Sequence, residues 1–84
     1  MKIAYHPAFV RQFKRLGKDL QDEVLEKIAL FEKNYNNPLL KTHKLNGRLK
    51  HQSAFSVNYS YGIVFEIIEK EAIFLEIGNH DIYK

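Results

Sequence analysis

One apolar stripe constrains the fold of this chain more than any other feature. Five large apolar side chains recur at intervals of four, four, three and four residues, which is the spacing of one face of an α-helix. They are Leu20, Val24, Ile28, Phe31 and Tyr35. A helix of this kind is stable when a second layer covers its apolar face. We expect it to begin with Asp19 as its N-cap and to end before Pro38.

A shorter helix is predicted immediately before this one. Pro7 suits the first turn of a helix, and Gly17 suits its C-terminal cap. Between them, one helical face carries the apolar residues Phe9, Val10, Phe13 and Leu16. Because the two predicted helices are separated by so few residues, we expect them to form a helical hairpin that lies on a sheet.

Alternation of apolar and polar residues predicts β-strands in much of the remaining chain. Residues 2–5 make one short strand, and residues 55–59, 61–67 and 73–77 make three more. The positions expected to share one face in these three are Phe55, Val57 and Tyr59, then Tyr61, Ile63, Phe65 and Ile67, then Ile73, Leu75 and Ile77.

Short connections between the last three strands favour an antiparallel meander. A polar turn at residues 69–71 joins the last two strands, and Gly78 and Asn79 are expected to end the final one. The predicted fold class is α+β, with the order β-α-α-β-β-β and a helical hairpin packed on an antiparallel-dominated twisted sheet. Residues 1–84 are expected to form a single domain.

Basic residues are concentrated in two segments, although the net charge of the chain is only +3. Residues 1–18 contain five lysines and arginines and no acid, and residues 38–51 contain four, again with no acid, together with two histidines. Such segments fit a polyanion or an acidic protein as partner, and they equally fit an ordinary solvated surface. The chain has no cysteine, no 18-residue apolar run and no apolar leader. We therefore expect a cytoplasmic protein that does not enter a membrane.

The end of the chain groups chemically active side chains. His80, Asp81 and Tyr83 follow the last predicted strand within four residues, a composition that a frayed chain end could also have. The four histidines are dispersed and lack metal-ligand spacing, so we predict neither a metal site nor a cofactor. Cleavage of RNA without a metal needs a base for the 2′-hydroxyl, cations for the phosphorane and an acid for the leaving 5′-oxygen. Histidine, tyrosine, lysine and arginine provide these groups.

Three parts of the chain resemble the RelE/ParE superfamily of toxins from type II toxin–antitoxin modules. They are residues 42–50 (THKLNGRLK), residues 55–57 with residues 61–67 (YGIVFEI), and residues 77–83 (IGNHDIY). The resemblance covers essentially the whole chain and is strongest to the RelE/StbE and YafQ-like branch. It implies a toxin that cleaves mRNA in the ribosomal A site and is neutralised by a cognate antitoxin, with which it forms an oligomer.

The resemblance also implies roles for individual residues. Catalytic roles are expected for His80, Tyr83 and His51, and RNA-binding roles for Lys41, His43, Lys44, Arg48 and Lys50. Asp81 would have at most an orienting role. The expected partners are the antitoxin, the ribosome and mRNA, and the antitoxin is expected on the basic helix face and groove.

One position departs from the family pattern. Most members have an arginine after the aromatic residue that opens the third strand, whereas this chain has Gly62 after Tyr61. Three explanations are open: a weakened toxin, substitution by a cation such as Arg48 or Lys50, or a glycine that relieves toxicity. The departure also leaves two alternative functions, a ParE-like inhibitor of DNA gyrase and an inactive relative that only binds antitoxin.

Overall fold

The computed structural model describes residues 1–47 and 51–83 of the 84-residue chain, without the side chain of Tyr83. In this part of the chain, a five-stranded sheet with the spatial order β1-β5-β4-β3-β2 carries two α-helices. The helices are α1 (Pro7–Lys14) and α2 (Lys18–Lys33). The strands are β1 (Lys2–Tyr5), β2 (His43–Lys44), β3 (Ser53–Ser56), β4 (Tyr61–Ile68) and β5 (Glu71–Asn79). None of the described helices is long and apolar enough to cross a lipid bilayer.

The sheet is mixed but mainly antiparallel. β1 pairs with β5 in parallel, whereas the pairs β2–β3, β3–β4 and β4–β5 are antiparallel. The predicted α+β class, the helical hairpin and the meander are confirmed. The two-residue strand β2 was not expected, because residues 38–51 show no apolar period that would indicate it.

α1 begins at Pro7, as predicted, but it ends at Lys14, and α2 ends at Lys33, so the predicted stripe residue Tyr35 lies beyond the helix. The Nδ1 atom of His6 accepts a hydrogen bond from the backbone N–H of Ala8 at 3.0 Å, which caps α1. Gly17 has an extended backbone (φ −66°, ψ 160°) and is the N-cap of α2. The predictions of Gly17 as a C-cap of α1 and of Asp19 as the N-cap of α2 are therefore wrong. Asp19 lies in the first turn of α2 instead, where the helix dipole favours its carboxylate.

An aromatic cluster between α2 and the sheet forms the centre of the core. The ring of Phe31 lies 5.0 Å from those of Phe55 and Phe65 and 5.1 Å from that of Phe74, measured between centroids. All four side chains are fully buried. The predicted stripe of α2 thus packs against β3, β4 and β5. Aromatic pairs at these separations stabilise a core by about 0.5–1.5 kcal/mol each beyond the area that they bury.

A β-bulge at Leu75 changes the predicted pattern of β5. Val64 pairs with Glu76, but the next residue, Phe65, pairs with Phe74, so Leu75 is an extra residue on β5. Phe74 and Ile77 therefore face the same core, although they are three residues apart. The prediction that Ile73, Leu75 and Ile77 share one buried face is wrong, because the bulge reverses the alternation.

The face of the sheet away from α2 has its own apolar cluster. It consists of Leu45, Ala54 and Val64, against which Leu75 and Ile82 pack. Gly78 and Asn79 were predicted to end the last strand, but both belong to β5, because Gly78 pairs with Gly62 and Asn79 pairs with Tyr61 on β4. β3 is shorter than predicted and ends at Ser56.

Candidate functional site

The C-terminal turn is attached to the sheet at two residues, His80 and Ile82. Residues His80–Tyr83 form a short 3-10 helix directly after β5. The backbone N–H of His80 donates a hydrogen bond to the carbonyl oxygen of Ser60 at 3.1 Å. Two residues later, Ile82 packs into the apolar cluster on the sheet face away from α2. The half-buried His80 is thereby held beside the connection between β3 and β4.

His80 lines an open groove with a cavity volume of about 420 Å³. The groove lies where β3 extends beyond the two-residue strand β2 and α2 passes nearby. Its lining residues are Lys27, Leu39, Lys41, Ser56, Val57, Asn58, Tyr59 and His80. An imidazole, two lysine side chains and a hydroxyl therefore share one concave surface. We refer to it as the His80 groove.

Lys41 is positioned in the His80 groove by a short turn. Residues Pro38–Leu40 form a 3-10 helix, capped by the side chain of Asn37, which accepts from the N–H of Leu39 at 2.9 Å. Leu40 is fully buried and fixes this segment to the core. Lys41 follows with a left-handed backbone (φ 51°), which ends the 3-10 helix. Because Leu40 is buried and the chain turns sharply at the next residue, the side chain of Lys41 stays at the surface.

The connection between β3 and β4 forms the opposite wall of the groove. The Oδ1 atom of Asn58 accepts hydrogen bonds from the N–H groups of Ser60 and Tyr61, both at 2.8 Å. Its Nδ2 atom donates to the Oε1 atom of Glu23 on α2 at 3.2 Å. Tyr59, predicted as an inward-facing strand residue, lies in this turn and is 98% exposed. That prediction is wrong, because Asn58 bends the chain before the strand pattern can continue.

A second group of predicted site residues lies elsewhere on the sheet. Lys44 and His51 line a separate hollow of about 300 Å³, together with Ser53 of β3. Ser53 and Ser56 are at opposite ends of β3, roughly 10 Å apart along the strand. His43 is on β2 beside Lys44, and its Nδ1 atom lies 3.0 Å from the carbonyl oxygen of Lys41. The structure therefore brings His80 and Lys41 together, and places Lys44 and His51 in a different hollow.

Three of the predicted site residues cannot be located in this way. Arg48 and Lys50 lie outside the described residues, as does the side chain of Tyr83. The exposed Asp81 donates a backbone hydrogen bond to the Oδ1 atom of Asn79 at 3.0 Å. No group of three or more histidine, aspartate or glutamate residues arranged to hold a metal ion occurs in the described part of the chain.

Sequence reasoning did not select Lys27 or Tyr59 for this site. Lys27 follows Glu23 by one helical turn, so contact between Glu23 and Asn58 also brings Lys27 near the β3–β4 connection. No local pattern signals this contact, because it joins residues 35 positions apart. Tyr59 lies between Asn58 and Ser60, two common turn residues. This pattern could have indicated that Tyr59 belongs to a turn and not to the predicted strand.

Gly62 is buried in the middle of the sheet, next to the His80 groove. It pairs with Ser56 on β3 and with Gly78 on β5. These three small residues share the sheet face that also carries Val64, because directly paired residues and residues two apart point the same way. At the position where an arginine was expected, the described part of the chain therefore has a row of small residues.

Comparison with solved structures identifies proteins of the same fold. The structure of YafQ from E. coli strain BL21(DE3) superposes with a TM-score of 0.79 at 18% sequence identity, covering 96% of this chain and 94% of that chain. A YoeB/ParE toxin from Agrobacterium tumefaciens gives 0.79 at 12% identity, with coverage of 95% and 99%. The E. coli DinJ–YafQ toxin–antitoxin complex gives 0.77 at 19% identity, with coverage of 96% and 93%.

The similarity extends over nearly the full length of each of these structures. The chain therefore has the fold of the YafQ and YoeB/ParE toxins, as the resemblance of its sequence motifs implied. Comparison of the sequence with protein-family models and with curated proteins finds no match. At these sequence identities, the structural similarity establishes the fold alone.

Proposed function

We propose that this chain is the toxin of a type II toxin–antitoxin system and cleaves mRNA on translating ribosomes. Residues 1–84 would act as one toxin domain in the cytoplasm. The observation that supports this most directly is the His80 groove, in which a histidine and two lysines meet at one end of a toxin-like fold. Two independent features, the motif at residues 77–83 and the fold, favour the same function.

The residues of the His80 groove match the needs of RNA cleavage. The 2′-oxygen attacks the adjacent phosphorus and transfers its proton to a base, while the bond to the 5′-oxygen breaks and that oxygen receives a proton from an acid. The products are a 2′,3′-cyclic phosphate and a 5′-hydroxyl. His80 is half-buried and held by its backbone, so it is the proposed proton-transfer group. Lys41 would stabilise the extra negative charge of the phosphorane.

The remaining predicted residues would act around this centre. Tyr83 lies in the same 3-10 helix as His80 and stays the proposed second proton donor. Lys44, His43 and His51 lie on or beside the edge strand β2 and would bind the flanking RNA backbone. For His51 this position favours binding over the catalytic role that the sequence suggested. Arg48 and Lys50 keep their proposed RNA-binding roles.

A cognate antitoxin is the proposed protein partner. The DinJ–YafQ structure, which has the same fold in its toxin, is a toxin–antitoxin complex. On this chain, the exposed Arg11 and Lys14 lie in the last turn of α1 and give that helix a basic face. Acidic antitoxin segments that become ordered on binding would pair with this face. The affinity is then expected to fall as the salt concentration rises, and an affinity independent of salt would argue for an apolar interface.

Cell-free translation tests the proposed activity. A defined message is translated with and without the purified protein, and new 5′ ends are mapped by primer extension. The same message is also incubated with the protein in the absence of ribosomes. New ends that appear only during translation are the expected result. Unchanged messages in both reactions, at a large excess of protein, would refute the proposal.

Inhibition of DNA gyrase is the second candidate function, and the small residue at Gly62 favours it. At the position where most members of the superfamily carry an arginine, this chain has a buried glycine paired with Ser56 and Gly78. A supercoiling assay decides this alternative. Inhibition of gyrase combined with an intact message would establish it, and normal supercoiling at high protein excess would remove it.

A further inference from the structure

Tyr59 has no role in holding the fold together. It is 98% exposed, the highest value among the exposed large apolar and aromatic side chains of the described residues. The next highest is Leu39, at 66%, on another wall of the same groove. A ring that buries almost no surface adds little to stability, since hydrophobic stabilisation scales with the area removed from water. The aromatic ring is therefore available to bind a ligand.

The backbone that carries Tyr59 is held firmly. Asn58, immediately before it, makes three side-chain hydrogen bonds, two to the following turn and one to Glu23 on α2. The backbone N–H of Val57 also donates to the carbonyl oxygen of Tyr61 at 2.9 Å. Tyr59 thus projects from a fixed turn into solvent. Because the backbone is already ordered, only the two side-chain torsions of Tyr59 have to be fixed when a flat ligand stacks on its ring.

The groove beside Tyr59 indicates what kind of ligand this is. Lys27 and Lys41 supply positive charge, and Tyr59 supplies an aromatic face on the same concave surface. A ligand that contacts both the lysines and the aromatic ring must carry an anionic group close to a flat ring. Single-stranded nucleic acid has this repeat of base and phosphate, and binding sites for it combine basic grooves with stacking aromatics.

We propose that Tyr59 is a stacking platform for one unpaired RNA base and that Lys27 binds a neighbouring phosphate. This proposal rests on the proposed function, since it places the RNA strand in the His80 groove. It assigns two residues that the sequence motifs did not select, one in the β3–β4 turn and one on α2. The strand then runs over the open end of β3 and passes His80.

Binding of a non-cleavable RNA tests the stacking platform. The probe is a short single-stranded oligonucleotide, 2′-O-methylated and carrying one 2-aminopurine, whose fluorescence is quenched when the base stacks. Tyr59→Leu keeps an apolar side chain without a ring and is expected to weaken binding by about 5- to 150-fold, the range for loss of one base–aromatic contact. Tyr59→Trp is expected to bind like the natural protein. Both variants should unfold at the same urea concentration as the natural protein, because residue 59 is exposed.

A matched pair of lysines tests the phosphate contact. Lys27→Gln is expected to reduce the slope of log affinity against log salt concentration by about 0.7, the value for one phosphate contact with a single strand. Lys33→Gln, in the last turn of the same helix and outside the groove, should leave the slope unchanged. Equal slopes for the two variants would overturn the role of Lys27.

Cleavage on translating ribosomes is measured with the same variants, so that the two proposals fail separately. If the natural protein cleaves the message and Tyr59→Leu cleaves and binds equally well, the stacking platform is overturned. The nuclease proposal then still stands. If the natural protein cleaves but free RNA binds too weakly to measure, reduced cleavage by Tyr59→Leu and normal cleavage by Tyr59→Trp support the platform. Binding that depends on Tyr59 without any cleavage supports the platform and overturns the nuclease. Absence of both binding and cleavage overturns both.

Discussion

Ile82 occupies the space that a side chain on residue 78 would need. A Cβ atom built on Gly78 would lie 2.8 Å from the Cγ2 atom of Ile82, closer than carbon atoms pack. Gly78 has no positive φ, so the glycine is required by this contact and not by its backbone conformation. The contact fixes the distance between β5 and the 3-10 helix that begins at His80.

Substitution of Gly78 by alanine is expected to displace the C-terminal turn. Because the new methyl group overlaps Ile82, the free energy of unfolding should fall by about 1–3 kcal/mol, as for other overpacked sites. Ile82→Ala removes the overlapping group, so the double variant should lose less than the sum of the two single variants. Urea denaturation of all four proteins measures this coupling. Additive effects of the two substitutions would contradict the contact.

Removal of the imidazole at residue 80 is expected to stop the chemistry without unfolding the protein. His80→Ala should reduce mRNA cleavage by about 10²- to 10⁴-fold, the usual contribution of a positioned acid or base. His51→Ala is the comparison, because His51 lines a different hollow with Lys44. It is expected to raise KM with a smaller change in kcat. Circular dichroism checks that both variants stay folded, and unchanged cleavage by His80→Ala would remove this residue from the mechanism.

The turn between β4 and β5 should be easy to stabilise. Glu69 (φ 50°) and Lys70 (φ 68°) both have left-handed backbones, which cost roughly 1–2 kcal/mol per residue for most side chains. An Asn-Gly pair prefers this conformation, so Glu69→Asn with Lys70→Gly is expected to raise the free energy of unfolding by about 1 kcal/mol. Lys70→Ala alone keeps the unfavourable backbone and should give no gain. Thermal unfolding compares the double variant with Lys70→Ala. Equal unfolding midpoints for these two proteins would contradict the expected gain.

Stability is expected to fall in alkali because of Tyr5. Burial raises the pKa of this phenol, and the negative charge of Glu32 raises it further. Above about pH 10 the unfolded chain therefore loses this proton more readily than the folded chain, so the contribution is complete below that pH and is lost as the pH rises through the folded pKa. Tyr5→Phe should flatten the decline. Urea midpoints between about pH 8 and pH 11 measure it; a decline of the same slope in both proteins would assign the effect to other groups.

Much of the fold could be predicted because its apolar residues recur at regular helical or strand intervals. The stripe from Leu20 to Phe31 spans one long helix, and the alternation around Ile63 and Phe65 marks the central strand. The bulge at Leu75 could not be predicted, because Phe74 and Leu75 are both apolar and either could face the core. β2 was missed because two residues are too few to show a period.

The candidate site was only partly predictable for a related reason. His80 could be placed, since it directly follows a strand that the sequence indicates. The position of Lys27 could not be predicted, because it depends on the contact between Glu23 on α2 and Asn58 in the connection between β3 and β4. The basic residues of 38–51 looked like one cluster in the sequence. In the fold, Lys41 and Lys44 lie in different hollows, because the chain passes from a 3-10 helix to an edge strand between them.

The bulge at Leu75 gives β5 one residue that its pairing with β4 does not need. Up to Phe74, β5 follows the regular alternation, and the single extra residue then turns every later side chain to the other face. Loss of that residue would restore the regular alternation, with Phe74 and Ile77 still facing the core and Glu76 still paired with Val64. A deletion of Leu75 should therefore disturb the position of His80 less than a deletion of Gly78 or Asn79, each of which is paired with a residue of β4.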